Sequence, residues 1–426
     1  MTGPTAEKKS DPRALHSLTR KGRQTRSALL QASREVFENQ GFYHASVAEI
    51  SRRAGMSQGA FYQYFKNKEQ VFLELYDRLL EQFWQRAHEL SLQHLTPQQR
   101  LHGLLELLYG HCRDNHFFHR ILGEFELIDS VTIGYFESIA RYCRSVFRRA
   151  VNDGYIRRLD PNIISYGVIG MALFHSLDWE PDTSRLSNQE LLDASVALIE
   201  RGVAGTKPWS MPKDMRAGVR MRIGQKPRAL SVDLTQRQVT ARSLLEAAEA
   251  VFGRYGYHRA AISDITRTAG VAQGTFYRYF KTKRDLMENF VRHLSREVRR
   301  ELKIATEHLS DRRDVERVGI VSFFRFLSQH RRIYRVVTES ETMGQKMAMW
   351  YYSKLAEGYR TGLEEGAARK EIRDDLPVAF MVRSLMGIVH MIGLKWLVWN
   401  SSPQAEVPAQ QVEDVLKMIL FGLKVD

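Results

Sequence analysis

The 426-residue chain carries 63 Lys and Arg against 49 Asp and Glu, for a formal charge of +14 and a pI near 9.7. A hydrophobic share of 43% beside 26% charged residues allows sizeable cores in two or three domains. The cationic surplus favours a polyanionic partner, nucleic acid first and an anionic membrane second. Only Cys112 and Cys143 occur, which excludes a disulfide framework and a four-thiolate metal site and fits a reducing cytosol.

Residues 1–20 are polar, lack an apolar h-region and are expected to form a disordered tail without a secretion signal. A first helix follows, with Leu29, Leu30, Val36 and Phe37 on one face and Gly41 as its stop. Ser46 to Glu49 reads as a capping box, the serine accepting from the backbone and the glutamate reaching back. The short helix it opens stops at Ala54-Gly55. A second short helix runs from about Ser57 to Phe65, and Asn67 to Gln70 caps a long helix reaching about Leu90. Two short helices across a tight turn make residues 21–68 a helix-turn-helix, whose second helix can enter a major groove. Phe61 and Phe65 share a face with Ile50 and Ala54 and belong to the core. Gln58, Ala60, Tyr62, Gln63 and Tyr64 cover the other faces, and Gly59 lets the backbone approach a partner. Gln suits an adenine edge, tyrosine hydroxyls suit phosphate oxygens, and Lys68 adds a cation beside the next helix N-terminus.

Residues 69–204 continue with helical periodicity. His111, His116, His119, Glu124, Glu126 and Asp129, with Cys112, have metal-binding chemistry, but their spacing does not put three ligands on one helical face. Effector contacts at His119 and Glu124 fit better, and no cofactor or metal is expected. Periodicity lapses over 205–235, a basic stretch with Pro and Gly breakers that is either a tether or an arm lying along DNA. Then the pattern repeats. "QGAFYQYFKNK" at Gln58 returns as "QGTFYRYFKTK" at Gln273, and ungapped alignment over about 46 positions gives about twenty identities. "DGYIRRLDP" at Asp153 likewise returns as "RKEIRDDLP" at Arg369. A whole unit of roughly 200 residues is therefore duplicated, with a second helix-turn-helix over 236–283 and a second helical domain over 284–426. The preserved Tyr, Gln, Gly and Lys are not core types and point outward. In the second domain Met343, Met347, Trp350 and Tyr351 suit either a core or a large apolar ligand. The apolar run Phe380–Trp399 approaches membrane-span length, yet Arg383, His390 and Lys395 within it favour a buried or interface helix. No β-type alternation of useful length appears, so the fold class is all-α. No G-x-S-x-G, H-E-x-x-H or phosphate loop occurs, and an enzyme is not expected.

"AEISRRAGMSQGAFYQYFKNKEQVF" and "SDITRTAGVAQGTFYRYFKTKRDLM" both resemble the DNA-binding signature of the TetR (tetracycline repressor) family. The resemblance implies three DNA-binding helices followed by a larger helical domain that encloses a small-molecule inducer. By motif position Gln58, Gly59 and Ala60 would meet base edges, and Ser57 would bind DNA beside them. Tyr62, Gln63, Tyr64 and Lys68 would lie on or near the DNA backbone, and Ser46 would meet a phosphate. The counterparts are Gln273, Gly274, Thr275, Tyr277, Arg278, Tyr279 and Lys283, while Ala261 replaces Ser46 and removes a cap and a contact. Family members pair through their last two helices. Here Ile163–Leu177 with Leu191–Val203, and Phe380–Trp399 with Val412–Leu423, would pair inside one chain as a pseudo-dimer, the alternative being a homodimer with four reading heads. Differences at Ser57/Ala272, Ala60/Thr275 and Gln63/Arg278 imply unlike half-sites. The expected function is a repressor in the bacterial cytoplasm, acting at the nucleoid and released from a non-palindromic operator by a small hydrophobic effector. The alternative is an architectural DNA-binding protein or an activator without an effector.

Overall fold

The computed structural model describes residues 19–90, 94–115, 126–177, 186–210, 212–214, 235–331, 334, 345–400, 402 and 405–425. The tail before residue 19, His116, His119, Glu124, Met343 and the basic stretch 215–234 lie outside the described residues, as do the side chains of Glu126 and Asp129. The described residues form helices and no strand; two isolated antiparallel bridges, Ile156 with Lys424 and Ala204 with Ile372, are the only extended pairings among them.

The chain divides into two compact units, one ending at Gln85 and one starting at Arg86. The first holds α1 (Arg20–His44), α2 (Val47–Arg53), α3 (Gln58–Tyr64) and most of α4 (Lys68–Glu89). Gly41, at φ 75°, breaks α1 where the sequence placed its stop, and one further turn runs on to His44. Leu29, Leu30, Val36, Phe37, Ile50, Phe61 and Phe65 are buried together as expected. Arg26 ties the ends of this core, its guanidinium over the Phe65 ring and paired with Glu74 of α4.

The second unit holds α5 (Pro97–Asp114), α6 (Glu126–Asn152), α7 (Pro161–Ser176) and α8 (Asn188–Arg201). It continues with α9 (Gln236–Arg259), α10 (Ile262–Thr268), α11 (Gln273–Tyr279), α12 (Lys283–Thr306), α13 (Arg312–Gln329) and α14 (Gln345–Ala368). α15 (Val378–Gly393) runs into one π-helical turn, Leu394–Val398, and α16 (Ala409–Phe421) closes the order. Its centre is the crossing of α7 and α15, both apolar on nearly every face. A Cβ on Gly170 would lie 2.1 Å from the Gly387 carbonyl oxygen, and one on Gly387 would lie 2.3 Å from the Gly170 oxygen. Backbone therefore meets backbone, which only glycine permits. The membrane-length run is accordingly an interior helix: 72% of its apolar window is buried in the protein.

α8 and α16 pack beside this crossing, and the residues after each reach the other half. Val203 N donates to Ile419 O at 2.9 Å and Ala204 N to Leu420 O at 2.9 Å, while Arg373 N donates to Val203 O at 3.0 Å. Reciprocally, Leu423 N donates to Ile199 O at 2.7 Å, Lys424 N to Glu200 O at 3.0 Å, and Arg157 N to Leu423 O at 2.7 Å. Gly202 and Gly422 make the two turns, at φ 65° and 67°. The first residues of the stretch expected to be linker, from Gly205 on, are thus packed structure.

Candidate nucleic-acid interface

In each half the turn between the two short helices rests on a left-handed glycine, Gly55 at φ 67° and Gly270 at φ 69°. Met56 N then returns to Ser51 O at 2.9 Å, and Val271 N to Thr266 O at 3.0 Å. Below the reading helices Phe61 packs on Phe65 with ring centroids 5.6 Å apart, and Phe276 packs on Phe280 at 5.8 Å. This buried pair turns the remaining side chains outward. Gln58, Gly59 and Gln63 are exposed, as are Gln273, Gly274 and Arg278. Tyr62 and Tyr277 are 56% and 55% exposed, their rings open to a partner surface. Ala60, Tyr64, Thr275 and Tyr279 are half-buried at the rim.

Gly59 and Gly274 sharpen the reading. Both have ordinary helical backbones, and a Cβ on Gly59 would meet only Ser57 Oγ at 3.8 Å, while one on Gly274 would meet nothing within 4 Å. Glycine inside a helix costs about 1 kcal/mol relative to alanine. The fold does not need it at either position, and the bare backbone there is open to close approach from outside.

Ser46 and Ser57 cap α2 and α3, their hydroxyl oxygens accepting from Glu49 N at 3.1 Å and Ala60 N at 3.2 Å. Each hydroxyl hydrogen stays available to a phosphate. The capping box is only half made, because Glu49 turns to Arg52 Nε at 3.0 Å instead of reaching back. Ala261 and Ala272 take the same extended cap conformation with no side-chain bond.

The placement of Lys68 and Lys283 differs from the sequence expectation of a phosphate cation. Lys68 Nζ donates to the carbonyls of Phe42 and Ala45, both at 2.9 Å, and lies 4.6 Å from the Phe42 ring centre. Lys283 Nζ repeats this on Tyr257, His258 and Ala260 at 2.9–3.2 Å. Burial holds the Lys283 ammonium pKa below its ordinary value.

Of the candidate effector residues inside the described chain, Tyr351 is fully buried, its hydroxyl meeting no hydrogen-bond partner among the described residues, and Met347 and Trp350 are half-buried. Arg292 of α12 covers the Trp350 ring at 4.7 Å. Two polar groups escaped the sequence reading. His390 Nδ1 bonds the Tyr334 hydroxyl at 2.6 Å beside Phe174 and Tyr352, and burial lowers its pKa to about 3. Glu137 of α6 accepts from Tyr166, at 2.7 Å, and from Lys395, at 3.0 Å. His390 and Lys395 had registered only as charges interrupting an apolar run. Among the described residues no group of three His, Cys, Asp or Glu side chains gathers to hold a metal.

Two exposed reading helices of this composition, each on its own three-helix core, define a helix-turn-helix DNA-binding protein. Residues 29–75 and 244–290 both match the model of bacterial regulatory proteins of the tetR family. The chain thus carries two tetR-type DNA-binding segments in tandem and is similar at both to TetR-family transcription regulators. The uncharacterized HTH-type transcriptional regulator YhgD of Bacillus subtilis is 21% identical over 181 residues, covering 41% of this chain and 95% of YhgD. The fatty acid metabolism regulator protein of Bacillus subtilis is 32% identical over 73 residues, 17% of this chain and 38% of that protein. The solved structure of FadR from Bacillus subtilis in complex with stearoyl-CoA matches with 21% identity and a TM-score of 0.37, covering 42% of this chain and 97% of FadR.

Proposed function

We propose that the chain is a repressor that grips an operator with unlike half-sites as an intrachain pseudo-dimer and releases it when a small hydrophobic effector binds. The observation that carries this is the pair of reading helices, alike in framework and exposure but different where they face outward. Gln63 is exposed on one and Arg278 on the other, and arginine can take guanine O6 and N7 where glutamine prefers adenine. Gln58 with Gln273, and Tyr62 and Tyr64 with Tyr277 and Tyr279, are the shared contacts. The reciprocal crossing of chain after α8 and α16 supports pairing of the two units within one molecule. The buried aromatic surroundings of Tyr351 and the likeness to a fatty acid metabolism regulator support an apolar effector. DNA as the partner puts the site of action in the cytoplasm.

Recovery and sequencing of DNA bound across a genome tests the reading. A discrete site with two different halves, centred about one helical turn apart, is expected. Arg278→Ala should weaken one half alone, by about 1–3 kcal/mol. Tyr64→Phe with Tyr279→Phe should weaken binding to all sequences. A perfect palindrome that tolerates exchange of either half overturns the unlike half-sites. Uniform binding along any DNA would favour an architectural role, and a dimeric mass at micromolar concentration overturns the pseudo-dimer.

A further inference from the structure

The segment that leaves α8 does more than cross to the other half. Gly205 N donates to Glu371 O at 2.8 Å and Lys207 N to Lys370 O at 2.9 Å, laying this strap along the turn after α14. Lys207 Nζ reaches the buried carboxylate of Glu371 at 2.8 Å. At the start of α13, Arg313 is 2% exposed and needs partners for its charge. Asp311 supplies carboxylate oxygens at 2.7–2.9 Å, and the strap supplies the rest: the Lys207 carbonyl at 2.6 Å, that of Pro208 at 3.4 Å and the Trp209 ring at 5.2 Å. Trp209 Nε1 in turn donates to Asp314 at 3.2 Å.

The matching site in the first half is not built this way. Two residues past the N-cap of α5 stands the exposed Gln98; the buried arginine at this helix start is Arg100, paired with Asp153 of its own half, while Arg157 donates to the Lys424 carbonyl at 3.0 Å. The segments that cross also differ. Counting from Gly202 and Gly422, Gly205 corresponds to Val425, and a Cβ on Gly205 would lie 2.3 Å from the Lys370 carbonyl oxygen. Val425 instead donates its N–H to Tyr155 O at 3.2 Å, where it is 49% exposed.

We infer that the strap 203–209, its seat on turn 370–372 and the Arg313 end of α13 select the pairing partner, admitting the first tandem half of the chain against the second and refusing a second copy of the second half. A second half pairing with its own kind would press Val425 against the Lys370 carbonyl, where Gly205 now sits. This rests on the intrachain pairing proposed above.

The test uses the full chain with a protease site placed within 215–234, folded first and then cut, so that the strap stays on the first fragment. Native mass spectrometry after dilution and re-equilibration counts mixed pairs and second-fragment homodimers. Mixed pairs alone are expected for the native sequence. Trp209→Ala or Gly205→Val should raise the homodimer-to-mixed ratio about tenfold or more. Val425→Gly, at an exposed position that does not threaten folding, should raise it too by removing the clash. Homodimers forming as readily as mixed pairs in the native sequence, or no response to Val425→Gly and Trp209→Ala together, overturns the inference. Fragments that never associate, or an uncut chain that is already dimeric, overturn the pairing beneath it.

Discussion

Lys68 and Lys283 sit where α1 and α9 end in a glycine-broken turn, and that turn leaves carbonyls without intrahelical donors. A lysine from the following helix meets them with three N–H groups and an aromatic ring. Lys68→Met should therefore lower the stability of the first head by about 1–3 kcal/mol in urea unfolding. The salt dependence of DNA binding should stay nearly the same. Loss of about one phosphate from the salt slope with unchanged stability would restore the phosphate role. The buried histidines make a second residue-scale prediction. Burial lowers His390 to about 3 and His111 to about 4, so the unfolded chain takes up these protons first as pH falls from 6.5. Stability from keeping them neutral is complete above about pH 6.5 and is lost toward those values. Unfolding midpoints should fall between pH 7.5 and 5, and His390→Phe should flatten that fall. The same variant should cost about 1–3 kcal/mol at pH 7.5 by removing the Tyr334 hydroxyl's bond to His390. An unchanged pH profile would exclude His390 as a contributor.

The short helices were well specified by sequence because their logic is local. Spacing of four residues between Phe61 and Phe65 decides which face is buried, and one glycine decides where the turn falls. What sequence could not settle was the direction of Glu49, which had two partners in reach and took Arg52. The missing caps of α10 and α11 were readable, and they carry a prediction. Ala261→Ser and Ala272→Ser should each stabilise the second head by about 0.5–2 kcal/mol, seen as a higher Tm. If neither moves Tm, DNA contact rather than capping accounts for the serines of the first head.

Across the molecule the tightest constraint is the meeting of α7 and α15. Gly387→Ala must push two backbones apart and should cost about 1–3 kcal/mol or more, with helix content retained in circular dichroism. A change within the roughly 0.5 kcal/mol usual for surface positions would show that the crossing is slack. At this scale the compact division also departs from two equal halves, since the first unit ends at Gln85 and all else gathers in the second.

The sequence by itself determined the duplication, the all-helical class, the buried and outward faces of both reading helices and the differences between them. All of these follow from periodicity and from comparing one chain with itself. The tertiary structure alone decided that residues after Gly202 are a packed strap, that Lys68 closes a helix end, and that His390 meets Tyr334 and Lys395 meets Glu137. Lys395 and Glu137 stand 258 positions apart, and His390 and Tyr334 stand 56 apart. No helical period spans such distances: the packing of the two halves brings Lys395 to Glu137, and folding within the second half brings Tyr334 to His390.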